Sequence, residues 1–245
     1  MRALGAQLRV ELVLTLRRGE SVLLTIGIPV GLLVFFSLVD VLPTESGLPA
    51  GGDAVDFLAP GILALAVMST AMVSLSIATG FERQYGVLKR LGATPLGRPR
   101  LLAAKTGAVL AIEVVQVAVL VPVALALGWA PDAGVATALA GMVLGTIAFA
   151  GLGMLMAGTL RAEVTLAAAN GLYLALLLLG GMVVPLAELP CALRAAAEVL
   201  PAAALADIVS GALVDGSAIP GRAWLVLAGW AVVTPVTAAR LFRWE

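Results

Sequence analysis

The sequence predicts an all-α polytopic membrane protein with a single domain over residues 1–245, and three observations lead to this prediction. Hydrophobic residues make up 61% of the 245 residues and charged residues only 12%, against about 45–50% and about 25% in soluble globular domains. Six apolar stretches reach the roughly 20 residues that a membrane-spanning helix needs. Basic residues are also concentrated in alternate connections between those stretches. The composition therefore excludes an ordinary soluble fold.

The six predicted spans are separated by short connections, apart from three segments that are described below. Their approximate limits are 21–42, 57–80, 106–128, 134–160, 164–186 and 223–242. All but two of the 15 basic residues, Arg194 and Arg222, lie in the N-terminal segment, after the second span, after the fourth span or in the C-terminal tail. Because cytoplasmic loops carry the excess of Lys and Arg, both termini are predicted to be cytoplasmic. We expect a multi-pass protein of the inner (plasma) membrane.

The segment before the first span, residues 1–20, carries a narrow apolar stripe. Leu4, Leu8, Leu12 and Leu16 share one helical arc, and the arginines lie outside it. This pattern predicts an interfacial helix that leads into the first span. A simple basic topology signal is the alternative interpretation.

The segment before the last span, residues 187–221, is too apolar for a free loop. Pro185, Pro190, Pro201 and Pro220 border or interrupt it. Proline breaks a helix because it lacks a backbone N–H and clashes with the preceding turn. We therefore predict short extracellular helices, interfacial or re-entrant, that are broken at these prolines.

The connection after the second span is amphipathic over residues 81–95. A helical wheel puts its apolar residues on one side, namely Phe81, Tyr85, Val87, Leu88 and Leu91. Its charged residues lie on the other side: Glu82, Arg83, Lys89 and Arg90. Gly92 and Pro95 are expected to end the helix. Such a helix either lies on lipid or inserts into a groove on a partner protein.

Two motifs in this chain resemble those of ABC-2 type transporter permeases. The first comprises Glu82, Arg83, Gly86, Leu88, Leu91, Thr94 and Pro95. The second comprises Gly181 to Pro185, Leu189-Pro190 and Leu200-Pro201. The order of these motifs and the six-span topology extend the resemblance over nearly the whole chain. One departure is Gln84, where that family often has an acidic residue.

The resemblance implies the membrane half of an ATP-driven exporter. Residues 81–95 would form a coupling helix that is seated in a cleft of an ABC ATPase subunit. The ATPase-coupling residues would be Phe81, Glu82, Arg83, Tyr85, Gly86, Leu88, Lys89, Leu91, Thr94 and Pro95. Because the sequence contains no G-x-x-x-x-G-K-[ST] phosphate loop, we expect ATP and Mg²⁺ to be bound by that separate subunit. The resemblance also implies a second permease chain, identical or homologous, that is contacted through the first and fifth spans.

Three polar residues lie deep in the predicted spans: Glu113 and Gln116 in the third, and Asn170 in the fifth. A carboxylate near mid-membrane costs about 2.5–3.5 kcal/mol on insertion scales, so it usually faces a cavity or a partner. Glu113, Gln116 and Asn170 could therefore act in substrate passage or gating, or Glu113 could pair structurally with Lys105. Asn170 could join helices by a hydrogen bond. Gly141 and Gly145 form a G-x-x-x-G pair that could pack within the chain or between two chains.

The remaining composition limits the possible functions. The absence of histidine and the single Cys191 disfavour histidine catalysis and thiolate metal sites, so neither a cofactor nor a metal is expected in this chain. The zero net charge predicts no nucleic-acid partner. We predict a transport subunit without its own ATPase activity that exports an amphipathic drug, antibiotic or lipid-like substrate. The alternative is an ion-coupled secondary transporter that uses Glu113.

Overall fold

The computed structural model describes residues 5, 7, 9–13, 19–38, 54–92, 97–131, 134–182, 190–214 and 219–242. Nearly all of these residues are helical and none forms a strand, which confirms the predicted all-α class. The helices are α1 (Gly19–Leu38), α2 (Ala54–Met68), α3 (Leu75–Gln84), α4 (Val87–Gly92), α5 (Arg98–Ala126), α6 (Val135–Thr159), α7 (Ala162–Leu179), α8 (Cys191–Ala197), α9 (Pro201–Leu213) and α10 (Gly221–Leu241). A π-helical turn, Ser69–Ser74, joins α2 to α3.

Five of the predicted spans correspond to helices that are long and apolar enough to cross a membrane. These helices are Val55–Gln84, Pro99–Ala126, Val135–Thr159, Ala162–Leu179 and Gly221–Leu241. The first predicted span is represented by α1, and residues 39–42 of it lie outside the described residues. The described part of this multi-pass membrane protein thus has five such helices, or six if the bent pair α8–α9 is counted as one span.

Two spans are longer at one end than the apolar pattern predicted. The second continues to Gln84, and the third begins at Arg98 instead of near residue 106. Gly97 is the extended N-cap of α5 and Pro99 lies in its first turn, where a proline is well tolerated. We call the end of the bundle formed by these two extensions, residues 81–84 and 98–105, and by Arg161 the basic end.

Helix α6 lies at the centre of the bundle, and its glycines allow close packing on several sides. Each glycine faces one residue on a neighbouring element: Gly141 faces Ile208, Gly145 faces Leu205, Gly151 faces Thr234, Gly153 faces Met72 and Gly158 faces Phe242. A methyl group at any of these positions would overlap its neighbour, and small residues are what allow such close approach of helices in lipid. The G-x-x-x-G pair therefore packs within the chain, against α9.

The segment before the last span forms two helices, α8 and α9, which meet at 82°. Pro201 is the first residue of α9, so the predicted break at this proline is observed. Helix α9 is almost entirely buried against α6, α10 and α2. At the break, Glu198 pairs with Arg194 at 3.4 Å and with Arg222 of α10 at 2.5 Å. Pro185 lies outside the described residues.

The described residues of the N-terminal segment, 5, 7 and 9–13, are helical, as an interfacial helix requires. Val10 and Val13 are exposed, whereas Glu11 on the same segment is buried. Leu4, Leu8 and Leu16 of the predicted apolar stripe lie outside the described residues. A carboxylate, rather than only an apolar stripe, therefore attaches this segment to the bundle.

Candidate functional site

The amphipathic segment at the basic end is divided in two, which corrects the expectation of one helix over residues 81–95. Helix α3 ends at Gln84, and Val87 begins the separate short helix α4. Between them Gly86 has φ +72°, a left-handed conformation that glycine adopts without steric cost. The break interrupts the helical repeat, so residues on either side no longer share one helical wheel. Thr94 and Pro95 lie outside the described residues.

The break separates the predicted apolar face into an outward and an inward part. Tyr85 is 73% exposed and Val87 is 42% exposed, whereas Leu88 is fully buried. Leu91 packs partly buried against the core, and the rings of Phe81 and Tyr85 stack at 6.2 Å. Tyr85, Val87 and the exposed Arg90 form what we call the coupling face. Leu88 points into the protein and is not available for a partner's cleft in this conformation.

Glu82, which lies before the break, is held inside the protein by a buried ion pair. The Nζ of Lys105, in α5, lies 2.7 Å from Glu82 Oε2 and 3.0 Å from Glu11 Oε1. The Lys105 side chain is only 1% exposed. Gln7 donates a further hydrogen bond of 2.9 Å to Glu11. Because a buried ammonium group is strongly disfavoured without partners, these carboxylates hold α3, α5 and the N-terminal segment together.

Arg83 and Gln84 attach the same end of α3 to the turn between α6 and α7. The Arg83 guanidinium donates to the carbonyl oxygen of Leu160, the C-cap residue of α6. A cation at this position is favourable because the last carbonyls of a helix carry partial negative charge. The Gln84 side chain donates to Glu163 at 2.8 Å, so the residue that departs from the family pattern makes a contact of its own.

A cavity of about 450 Å³ opens between the divided segment and the α6–α7 turn. It is lined by Gly80, Arg83, Gln84, Gly86, Lys89, Arg161, Ala162 and Glu163. We call it the basic cavity, since three of its side chains are cationic and one is acidic. Lys89 thus lines this cavity in addition to being exposed next to the coupling face.

Glu113 is buried in the middle of α5, where its partner is on α6. Thr146 Oγ1 donates to Glu113 Oε2 at 2.5 Å and also contacts the carbonyl of Met142. Glu113 Oε1 has no hydrogen-bond partner among the described residues. The expected structural pairing with Lys105 is not observed, because Lys105 is occupied by Glu11 and Glu82.

Gln116, one turn further along α5, joins three spans. Its Oε1 accepts a hydrogen bond of 3.1 Å from Thr70 in the π-helical turn, and its Nε2 donates to the carbonyl of Thr25 in α1 at 2.9 Å. The amide is 1% exposed, so both of its polar ends are satisfied inside the bundle. π-helical turns are frequent at functional sites in membrane and soluble helices. The structure therefore brings Gln116 to the junction of α1, the π-helical turn and α5.

Asn170 is separate from Glu113 and Gln116. Its side chain is exposed on α7 and donates to the carbonyl of Leu166 in the same helix at 2.8 Å. The three deep polar residues thus do not form one pathway in a single chain. Asn170 instead belongs to the outward surface of α7, together with Gly171 and Leu174.

Sequence reasoning missed the roles of Lys105, Glu11 and Arg161 at the basic end. The sequence predicts Lys105 to be part of the topology signal or a partner of Glu113, whereas the structure buries it beside Leu101 and Ala104 with other carboxylates. A cation among buried residues needs a carboxylate partner. The apolar sequence around Lys105 indicates that this cation needs a carboxylate, but it does not identify Glu11 and Glu82 as the partners.

Comparison with known proteins gives one family. The sequence model of ABC-2 type transporters matches residues 2–214, a range that includes the coupling face, the basic cavity and the buried ion pair. No sequence among the curated proteins matches this chain.

Proposed function

Because this chain belongs to the ABC-2 type transporter family, we propose that it is the permease subunit of an ATP-driven exporter. Members of this family are membrane permeases of ABC transporters, without an ATPase of their own, that work with an ABC ATPase subunit. We further propose where that ATPase binds, what is transported and in which direction. The observation that best supports the proposed binding position is the exposure of Tyr85 and Val87 on either side of Gly86.

The coupling face has the features of a docking surface for the ATPase. Tyr85 and Val87 are large exposed side chains in the turn after a span, and Arg90 adds charge beside them. Exposed aromatic and arginine side chains are the residue types that most often contribute to protein–protein binding. In this proposal the ATPase receives Tyr85 and Val87 in an apolar cleft, and Leu88 supports the segment from inside.

Force from the ATPase would reach the spans through the anchors of α3. Glu82 and Arg83 precede the coupling face directly and are fixed to Lys105 and Leu160 respectively. Displacement of the coupling face would therefore move α5 and the α6–α7 turn together with α3. The π-helical turn and its Gln116 contact lie further along the same continuous span, Val55–Gln84.

A second permease chain is expected to cover the outward surfaces of α1 and α7. Leu23, Ile28 and Phe35 of α1 are 71%, 54% and 55% exposed, and Leu174 of α7 is 56% exposed. The small residue Gly171 and the polar Asn170 lie on the same side of α7. Such mixtures of small and hydrogen-bonding residues favour helix association in lipid. Membrane lipid would contact the exposed residues that remain.

The proposed cargo is an amphipathic drug, antibiotic or lipid-like molecule that leaves the cytoplasm. The large exposed side chains of the described spans are mainly Leu and Val. A cavity formed between two such surfaces would be mostly apolar with few polar groups, as sites for apolar ligands generally are. A strongly charged cargo would lack counter-charges there.

The test is purification of this chain from its native membrane in mild detergent, followed by mass identification of bound proteins. We expect a stoichiometric P-loop ATPase. The Val87→Asp variant should lose that ATPase while remaining in the membrane. The control is Val199→Asp, because Val199 is 59% exposed at the opposite end of the bundle. Retention of the ATPase by Val87→Asp would overturn the assignment of the coupling face.

A second candidate function, ion-coupled transport, is favoured by Glu113. Its carboxylate is buried in a span with one oxygen lacking a partner among the described residues, an arrangement found in proton relays. If this candidate is correct, reconstituted vesicles without ATP should accumulate or release substrate when a proton gradient is imposed. Glu113→Gln should then abolish transport. Transport that requires ATP and survives this substitution would exclude it.

A further inference from the structure

The basic cavity is not needed by the coupling proposal, and its position and charge suggest a separate binding site. Its walls come from three places in the chain: the end of α3, the start of α4 and the α6–α7 turn with the first residues of α7. The volume of about 450 Å³ is within the usual range for sites that bind small molecules. Tyr85, Val87 and Arg90 do not line it.

The cavity has an excess of positive charge. Arg83, Lys89 and Arg161 contribute three cations, against the single carboxylate of Glu163. That carboxylate already accepts hydrogen bonds from Gln84 and from its own backbone N–H at the start of α7, which leaves the N–H of Ala162 for another anion. Arg83 is held in place by Leu160, so at least one cation has a fixed position at the cavity wall.

The backbone adds donors of the same sign. Ala162 and Glu163 are the first residues of α7, an 18-residue helix whose N-cap, Arg161, makes no side-chain cap hydrogen bond. The first N–H groups of a helix attract anions because they carry partial positive charge. Phosphate matches this set of donors, because its oxygens accept charge-assisted hydrogen bonds from guanidinium groups and from backbone N–H groups.

The depth of the cavity indicates where such a phosphate would come from. Gly80 and Ala162 are the buried residues of its lining, and a methyl group at Gly80 would lie 3.6 Å from the Cα of Ala162. Both residues belong to apolar spans, Val55–Gln84 and Ala162–Leu179. The cations therefore surround the level at which those spans leave the apolar layer, where lipid phosphates lie. Basic pockets between membrane helices on the cytoplasmic side are known to bind anionic headgroups.

We propose that the basic cavity binds the phosphate of an anionic membrane phospholipid. The lipid headgroup contacts Arg161, Lys89 and the start of α7, and it joins the divided segment to the α6–α7 turn. This inference does not rest on ATP-driven export, because it concerns a lipid and uses no residue of the coupling face. A free phosphate compound and an acidic segment of a partner protein are the competing occupants, and the experiment separates them.

The experiment measures lipid retention by the purified complex in mild detergent, with phosphatidylglycerol and phosphatidylcholine as probes, by native mass spectrometry. The double variant Arg161→Gln/Lys89→Gln should retain about tenfold less phosphatidylglycerol, with unchanged phosphatidylcholine. The control double variant Arg9→Gln/Arg240→Gln also removes two exposed cations, both outside the cavity lining. It should retain phosphatidylglycerol within about twofold of the unmodified chain.

Four outcomes would overturn the proposal. An equal loss in both double variants would indicate nonspecific attraction to basic charge, and no loss in either would show that the cavity holds no lipid. Displacement of phosphatidylglycerol by millimolar inorganic phosphate would indicate a soluble ligand. Phosphatidylglycerol that binds only after removal of the ATPase would indicate that a protein segment fills the cavity. Arg161→Lys, which keeps the charge, should retain the lipid and so excludes misfolding as the cause of a loss.

Discussion

The two ends of the molecule carry the same arrangement of charges with opposite signs and different burial. At the basic end, one lysine, Lys105, lies between two carboxylates. At the opposite end, one carboxylate, Glu198, lies between two arginines. The Lys105 side chain is 1% exposed, whereas Arg194 and Arg222 are 52% and 49% exposed. The number of ion pairs at each end is therefore a poor guide to their contribution to stability, which depends on how deeply they are buried.

The difference follows from the cost of moving charge out of water. Removing one partner of a buried ion pair leaves a charge without compensation and costs about 3–5 kcal/mol. Removing one partner of an exposed pair lets water take its place, and the remaining interaction is screened by salt. The buried cluster also connects three elements that are distant in sequence, whereas the exposed cluster joins a short break to the start of α10.

The largest expected effect is that of Lys105→Met, which leaves Glu11 and Glu82 facing each other without a cation. We expect a loss of about 3–5 kcal/mol in the free energy of unfolding, or failure to accumulate, because two largely buried carboxylates then lose the cation that compensates their charge. Thermal unfolding of the purified chain in detergent measures this loss of stability. The triple variant Lys105→Met/Glu11→Gln/Glu82→Gln removes all three charges and should recover a substantial part of the loss. If the triple variant is no more stable than Lys105→Met, the ion pair is not the cause.

A smaller effect is expected for Glu82→Gln, since Lys105 keeps its contact with Glu11. The chain should still reach the membrane in amounts close to normal, but ATP turnover linked to transport should fall more than protein abundance. The physical reason is that α3 loses its charged attachment to α5 directly before the coupling face. ATPase activity of the reconstituted complex, normalised to permease content, is the measurement. Glu11→Gln is the matched control, because it removes the other carboxylate of the same lysine, and a fall in abundance alone would make Glu82 purely structural.

The smallest effect is expected at the opposite end, for Glu198→Gln. Hydrogen bonding from Arg222 lowers the pKa of the Glu198 carboxyl, with a smaller contribution from Arg194. A lowered pKa in the folded state means that this stabilisation is present above the ordinary carboxyl range and is lost as the pH falls through the lowered value. The melting temperatures of the unmodified chain and Glu198→Gln should therefore differ slightly at neutral pH and converge in acid. A gap that widens in acid would contradict the pairing.

The candidate site was predictable in its location more than in its contacts. Glu82, Arg83 and Tyr85 stand in an amphipathic segment that sequence reasoning selected, and the structure places that segment at the basic end. The prediction that Leu88 shares one face with Tyr85 was wrong, because Gly86, with its positive φ angle, ends the helix on which that prediction depended. The partner of Glu82 was not predictable, because Lys105 is 23 residues away and Glu11 is 94 residues from Lys105.

The polar residues of the spans show the same contrast between a predictable location and unpredictable contacts. The burial of Glu113 and Gln116 was predictable, because polar side chains in long apolar helices have few alternatives, whereas Asn170 is exposed on α7. Their partners were not, since Glu113 and Gln116 on one helix turn to different neighbours, Thr146 of α6 and Thr70 of the π-helical turn. These contacts depend on the rotation of each helix about its axis and on its depth in the membrane, and packing among all spans sets both.

The sequence by itself determined the all-α membrane class, the positions of most spans and the family, because these depend on local hydropathy and on short motifs. The family assignment was then supported by a match over residues 2–214. Only the tertiary structure decided that Gly141 and Gly145 pack within the chain against α9, that Lys105 is enclosed by two carboxylates, and that three cations surround one cavity. The physical reason is that hydropathy acts residue by residue along the chain, whereas ion pairs and helix contacts depend on distances of a few ångströms between distant segments.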